Sequence, residues 1–288
     1  MAGYFSGKCV LITGGSSGIG LAAAKQLSQE GAHVFLLARR ADVLQQALQE
    51  VEACRIDPNQ QFGTISADVS QHEQAAGAVA RLRQDFGTPD IVILSAGITH
   101  PGYLVDLDLE IIRQLMEINY FGSVNVTKAV LPEMLARGSG AIVFLSSMAA
   151  IINLPGYTGY GATKFALRGF CDALRAEVKR KGINIAIVFP PDTDTPQLAY
   201  EMPIRPAEAS VISGLDPVIS PDEVAKDIIR GIKRQQYIII PGLGNQIFYW
   251  LFSALGSLAY PVFDLVLAWA VRKSQSTTKL EDPHHERQ

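Results

Sequence analysis

Apolar residues recur along this chain in two alternating rhythms. Short unbroken aliphatic runs occupy residues 8–13, 33–38, 62–66, 90–94, 142–144, 184–189 and 237–240, the signature of parallel strands buried on both faces. Between them, apolar positions fall at helical spacing over 21–30, 41–55, 70–86, 107–134, 162–181 and 222–234. Strand and helix alternate without an internal repeat, which predicts a single α/β domain over residues 1–244. Ser70 with Glu73 forms the spacing of a capping box, and Ser220 caps the last helix of the series.

Two stretches fall outside that rhythm. Residues 190–220 carry Pro190, Pro191, Pro196, Pro203, Pro206 and Pro217, a long, partly ordered loop of the kind that serves as a lid or binding loop. Residues 247–271 are almost wholly apolar and are followed by Arg272-Lys273. As one helix at ~1.5 Å per residue this segment reaches about 37 Å, against about 30 Å of bilayer hydrocarbon. Pro261 and Asp264 interrupt it, and each half falls short of the ~20 residues a span needs. An interfacial or re-entrant anchor within 245–273 is the expectation, with a soluble flap over the substrate cleft or a subunit contact as the alternative. Residues 274–288 form a polar tail, in which His284-His285 predict a disordered end rather than a metal site.

Composition narrows the function classes. At 288 residues with 48% hydrophobic content the chain can bury a large core, and a net charge of −3 gives no basic footprint for nucleic acid. Cys9, Cys54 and Cys171 are far apart and odd in number, which fits reduced intracellular thiols and neither a disulfide framework nor a metal site. Residues 1–7 are too short for the apolar core of a signal peptide.

The chemistry clusters after the strands. Gly14, Gly15, Ser16, Ser17, Gly18, Ile19 and Gly20 join the first strand to a helix. Glycines there let the backbone approach a pyrophosphate, and the helix start offers amide donors to it. Arg39-Arg40 end the second strand where an NAD site places a carboxylate, so a 2′-phosphate and hence NADP(H) is expected. Solvated helix-start arginines are the alternative. Asp68 and Val69 end the third strand, where an adenine could be held, and Ser95-Ala96-Gly97 make a close-approach turn after the fourth. Asn119 lies amid Ile118, Tyr120 and Phe121 and must find partners or cost roughly 1–3 kcal/mol. Ser146 and Ser147 precede Tyr160, and Lys164 follows it by one helical turn. The ammonium is expected to lower the phenol's pKa, because a unit charge about 4 Å away at an effective dielectric of about 20 is worth about 4 kcal/mol. Tyr157 is followed at that spacing by Gly161, which cannot help it ionise.

The set T-G-G-S-S-G-I-G, Asp68-Val69, Ser95-Ala96-Gly97, Asn119, Ser147 and Tyr160-x-x-x-Lys164 resembles the short-chain dehydrogenase/reductase family over residues 8–241. The resemblance implies a doubly wound Rossmann-type parallel sheet and hydride transfer between a nicotinamide and a carbonyl or alcohol. It makes Tyr160 the proton donor, Lys164 the ribose ligand and phenol activator, Ser147 the substrate-oxygen contact, Asn119 the support of a water relay, and Thr193 and Thr195 cofactor contacts. Ser146 remains a candidate for the serine role. Two departures stand out: Ser95 replaces the family's asparagine, and Pro191 replaces a glycine near the nicotinamide amide. The string P-P-D-T-D-T-P, with the apolar C-terminal extension, is similar to the family's 3-ketosphinganine reductase branch, which reduces a long-chain 2-amino-3-ketone with NADPH in sphingolipid synthesis. That likeness implies a lipid substrate, with Asp192 and Asp194 as candidates to attract its ammonium group. It also implies a homodimer or homotetramer at a membrane surface, its catalytic domain in the cytoplasm, at the endoplasmic reticulum in a eukaryote. Other bulky lipid ketones (steroid, retinoid or 3-oxoacyl thioester) are the sibling reading, and a non-catalytic nucleotide-binding scaffold the reading of another class.

Overall fold

A strand covered by helices on both faces needs apolar side chains pointing both ways, and the aliphatic runs supply them. The computed structural model describes residues 3–281. Its strands are β1 (Cys9–Thr13), β2 (His33–Ala38), β3 (Phe62–Ser66), β4 (Ile91–Leu94), β5 (Gly140–Leu145), β6 (Ile183–Val188) and β7 (Ile238–Ile239). They form one parallel sheet in the order β3-β2-β1-β4-β5-β6-β7. The helices are α1 (Gly18–Gln29), α2 (Ala41–Glu52), α3 (His72–Phe86), α4 (Leu109–Met116), α5 (Gly122–Arg137), α6 (Thr158–Val178), α7 (Pro196–Glu201), α8 (Ala207–Ser213), α9 (Pro221–Lys233), α10 (Leu243–Leu255) and α11 (Ala259–Glu281).

Alternate residues of each strand divide between two cores. Val10, Ile12, Val34 and Leu36 face Leu27 of α1, Val51 of α2 and Ile228 of α9, while Leu11, Phe35, Val92 and Ile142 face Val79 of α3, Val130 of α5 and Leu167 of α6. The sheet is thus doubly wound, as expected. Strand order reverses between β1 and β4, and in open α/β sheets the ligand crevice lies at the carboxyl ends beside such a reversal.

Five local expectations are corrected. The helix expected over 107–134 is interrupted by a π turn at Glu117–Phe121, separating α4 from α5 and carrying Asn119; such turns cluster at functional sites. The stretch 190–220 is a lid more than a loop, because Thr195 caps α7 by accepting from Leu198 N at 3.3 Å and Pro196 takes the first helical position, with α8 following. Ser70 does not cap α3: the helix starts one residue later, with Gln71 at its cap position and no side-chain cap bond, and the Ser70 hydroxyl donates to Asp68 Oδ1 at 2.7 Å. Ser220 and Glu223 do form the reciprocal capping box on α9. The C-terminal apolar run bends at Gly256, with φ 54, and not at Pro261, which lies in the first turn of α11 where proline needs no amide partner. The expected polar tail begins as the continuation of α11 to Glu281; His284 and His285 lie outside the described residues.

Candidate active site

The loops leaving β1 and β4 meet at the strand-order reversal, and a glycine makes that approach possible. Gly14 has φ +65, and a Cβ there would stand 2.7 Å from the Ala96 nitrogen. Gly20 packs the start of α1 onto this loop, since a Cβ on it would lie 2.5 Å from the Gly14 carbonyl oxygen. Ser95 needs no asparagine side chain to hold its turn, because Thr13 Oγ1 accepts from Ala96 N at 3.2 Å and the Thr13 carbonyl from Ser95 N at 3.2 Å.

One cavity of about 860 Å³ starts at this cradle. Gly14, Ser16, Ser17, Gly18 and Ile19 line one end, with Arg39, Asp68 and Val69 beside them. Ser17 precedes α1 without capping it, which leaves its hydroxyl and the first helix amides for an anion. Arg39 stands 3.8 Å from Asp68 and half exposed, a loose pair that an anionic ligand can outbid. This end fits a dinucleotide: close-approach glycines for the pyrophosphate, a helix start beneath it and two arginines at the tip of β2. Ala96, Gly97, Thr193 and Thr195 also line the cavity, and Pro190 closes the far wall by accepting from Met148 N at 3.1 Å.

At its centre stand Ser147, Tyr160 and Lys164. Tyr160 and Lys164 share one face of α6, and both are buried. Ser146 is tied to the helix through the Lys164 carbonyl at 3.2 Å. The Ser147 side chain stands beside the phenol, so Ser147 has the better claim to the serine role. Lys164 Nζ donates to the Leu145 carbonyl at 3.0 Å and lies 5.4 Å from the Tyr160 ring centre.

The electrostatics correct the expected activation. Burial, and then the nearby Glu201 charge, push the Tyr160 phenol above its ordinary value, against a lowering by Ser147 and Gln197. Burial also pulls the Lys164 ammonium itself down to about 8, with Glu201 opposing. The protein alone therefore keeps the phenol protonated at neutral pH, the state a proton donor needs.

Asn119 is wholly buried and lies behind the cavity wall, absent from its lining. Its amide accepts from Ile98 N at 2.8 Å and donates to the Ile98 carbonyl at 2.9 Å and Thr163 Oγ1 at 3.1 Å. It fixes the loop after β4 in the position that Gly97 presents to the cavity. Asp194 is exposed and off the lining, while both oxygens of Asp192 are taken by Arg205, at 2.5 and 3.2 Å. Asp194 therefore meets no ligand in this cavity, and Asp192 meets it already paired with a cation.

Sequence reasoning passed over a group on the lid. Gln197, Glu201 and Arg205 project from α7 and the turn after it into the cavity, and Tyr157 donates to Glu201 Oε2 at 2.7 Å. The i, i+4, i+8 spacing of the three was the available signal, hidden by treating 190–220 as loop. Beyond them the cavity turns apolar, walled by Phe248, Leu251, Leu255, Val262, Phe263 and Val266 of α10 and α11.

A family model described as short chain dehydrogenase matches residues 8–203. The chain is similar to the 3-ketodihydrosphingosine reductase of Bos taurus, 40% identical over 225 residues, 78% of this chain and 68% of that protein. With the 3-ketodihydrosphingosine reductase of Dictyostelium discoideum it shares 35% identity over 276 residues, 91% and 83% of the two. Dehydrogenase/reductase SDR family member 7B of Bos taurus is 32% identical over 96% of this chain and 85% of its own. Among solved structures, a levodione reductase superposes with TM-score 0.74 at 25% identity, over 84% of this chain and 98% of that one.

Proposed function

This chain belongs to the short-chain dehydrogenase/reductase family, and on that premise we propose that it reduces 3-ketosphinganine, a long-chain 2-amino-3-ketone, to sphinganine with NADPH. The observation that carries the reading is the continuity of one cavity from the glycine cradle, past Tyr160, to the apolar wall of α10 and α11. A ketone at its centre places a polar head by the lid and an acyl chain against the aliphatic end. The names of the relatives that match most of the chain point to the same substrate.

A nicotinamide dinucleotide supplies the hydride when bound, and Gly14, Ser17, Gly18, Arg39, Tyr160 and Lys164 are the residues that would hold it. Arg39 and Arg40 favour the 2′-phosphate form. Ser147 orients the ketone oxygen and Tyr160 donates the proton to it. Lys164 is near enough to compensate the phenolate left behind. The apolar α10 and α11 extend the reading to contact with a membrane surface, from which a lipid ketone can enter.

The test is single-turnover oxidation of NADPH, then of NADH, with 3-ketosphinganine. Tyr160→Phe is expected to slow the reaction about 10²- to 10⁴-fold, the range of a lost general acid, while NADPH still quenches protein fluorescence. Unchanged turnover in that variant removes the reading. The apolar end of the cavity, which also accommodates other long or ring-bearing ketones, favours another bulky lipid ketone as the second reading.

A further inference from the structure

The lid carries a charge that its own contacts leave unbalanced. Arg205 is held between Asp192 and Glu201, at 2.5 Å and 3.1 Å, and sits under the Tyr157 ring. Two carboxylates thus share one guanidinium, and the Glu201 and Arg205 side chains are 8% and 3% exposed. Asp192 is 29% exposed and water screens it, so Glu201 is the buried carboxylate of the two and the one a further cation would serve.

The contacts show where a cation fits. Glu201 Oε2 accepts from both Tyr157 and Arg205, but Oε1 carries one long contact, from Gln197 Nε2 at 3.3 Å. A carboxylate has about four acceptor positions, so Oε1 has capacity to spare. The group holds a second unmet need: Arg205 Nε is a buried donor without a partner among the described residues. A head group bearing an ammonium supplies the cation, and Oε1 is the acceptor that has room for it.

Position relative to the reacting atoms agrees. In a 2-amino-3-ketone the nitrogen is one carbon away from the carbonyl, so whatever grips it must adjoin the residue that protonates the oxygen. Gln197 lies beside the Tyr160 phenol, Glu201 is one helical turn on, and the Glu201 charge is felt by both Tyr160 and Lys164.

We propose that Glu201 is the specificity residue of this site, its Oε1 receiving the ammonium of a 2-amino-3-ketone. The inference rests on the proposed lipid-ketone activity and adds how the amino-ketone is told from a plain ketone. Asp192 then serves as a positioning residue, holding Arg205 against Glu201. A cation docked at Glu201 also offsets the Glu201 charge, the second of the causes that hold the proton on Tyr160 after burial, so the phenol becomes a somewhat better acid with the amine in place.

The test compares kcat/KM for 3-ketosphinganine and for its 2-deamino analogue in wild type, Glu201→Gln and Glu201→Asp. Wild type is expected to prefer the amino-ketone. The preference is expected to fall about 10- to 100-fold in Glu201→Gln, as for a lost hydrogen bond to a charged group, and to recover in part in Glu201→Asp. An unchanged ratio in Glu201→Gln overturns the proposal. If Glu201→Gln does not fold, Glu201→Asp decides alone, a reduced preference supporting the proposal and a wild-type ratio overturning it. Wild type that reduces neither ketone refutes the proposed function itself, an outcome distinct from reducing both equally, which refutes only the role of Glu201.

Discussion

Lys164 shows at the residue scale how a candidate catalytic group strains the fold that holds it. Burial pulls its ammonium from an ordinary 10.5 down to about 8. Between those two values the unfolded chain keeps a proton that the folded chain has released, so stability rises with pH across the window; below about 8 the full cost is present. At ~1.36 kcal/mol per unit that cost is roughly 3 kcal/mol, offset by about 1 for the bond to the Leu145 carbonyl. Lys164→Met is therefore expected to unfold at a higher urea concentration than wild type at pH 7 without dinucleotide, while losing turnover. Its advantage should shrink as pH is raised from 8 toward 10.5. A variant less stable than wild type at pH 7 contradicts the sign. The pairing of Tyr160 with Lys164 was visible in the sequence as an i, i+4 spacing, but the direction of their titrations was not. Spacing on a helix fixes which side chains share a face; it says nothing of the burial and the Glu201 carboxylate that set both pKa values here.

Elements carry the same division between what is local and what is not. The strands and α9 were legible because their signals lie within a few residues: aliphatic runs, and Ser220 just before a helical spacing of apolar residues. The π turn around Asn119 was not, since it arises from packing against Ile98 and Thr163, 21 and 44 residues away. Nor were α7 and α8, where prolines that mark a loop by composition sit at helix starts by position. The glycine cradle is the clearest junction of the two levels. Gly14→Ala places a Cβ against backbone atoms of Ser95 and Ala96 at 2.7–2.8 Å and in a left-handed conformation costing about 1–2 kcal/mol by itself. The variant is expected to lose at least that much in denaturation and to lose NADPH quenching, because the loops of β1 and β4 must part. Gly77→Ala, inside α3 with open space around it, should instead gain about 0.5–1 kcal/mol.

At the scale of the whole molecule, α10 and α11 face two apolar environments at once. Phe248, Leu255 and Val266 turn toward the cavity, Tyr249 docks by stacking on Phe189, and Trp250, Leu258 and Leu265 point outward, each more than half exposed. A helix apolar all round belongs in a core or a membrane, and an outward apolar surface of this extent marks an interaction site. Taken as one helix, Leu243–Ser276 is long and apolar enough to cross a bilayer by length and composition, with 6% of its most apolar stretch buried. The bend at Gly256 changes that reckoning. It leaves α10 with 13 residues and α11 with about as many before Arg272, each about 20 Å long at ~1.5 Å per residue and short of about 30 Å of hydrocarbon. Under the proposed function the two helices would lie in the interface, and a lipid ketone would pass from the bilayer along their cavity-facing side chains toward Tyr160. Replacing Trp250, Leu258 and Leu265 together by glutamate is accordingly expected to abolish co-sedimentation with phospholipid vesicles. The kcat/KM for substrate carried in those vesicles should drop at least about tenfold, since three large apolar side chains contribute roughly 1.5–3 kcal/mol each when fully buried. A short-chain ketone in free solution should turn over at the wild-type rate, because none of the three lines the cavity. Equal losses on both substrates would show that these residues hold the fold rather than the membrane.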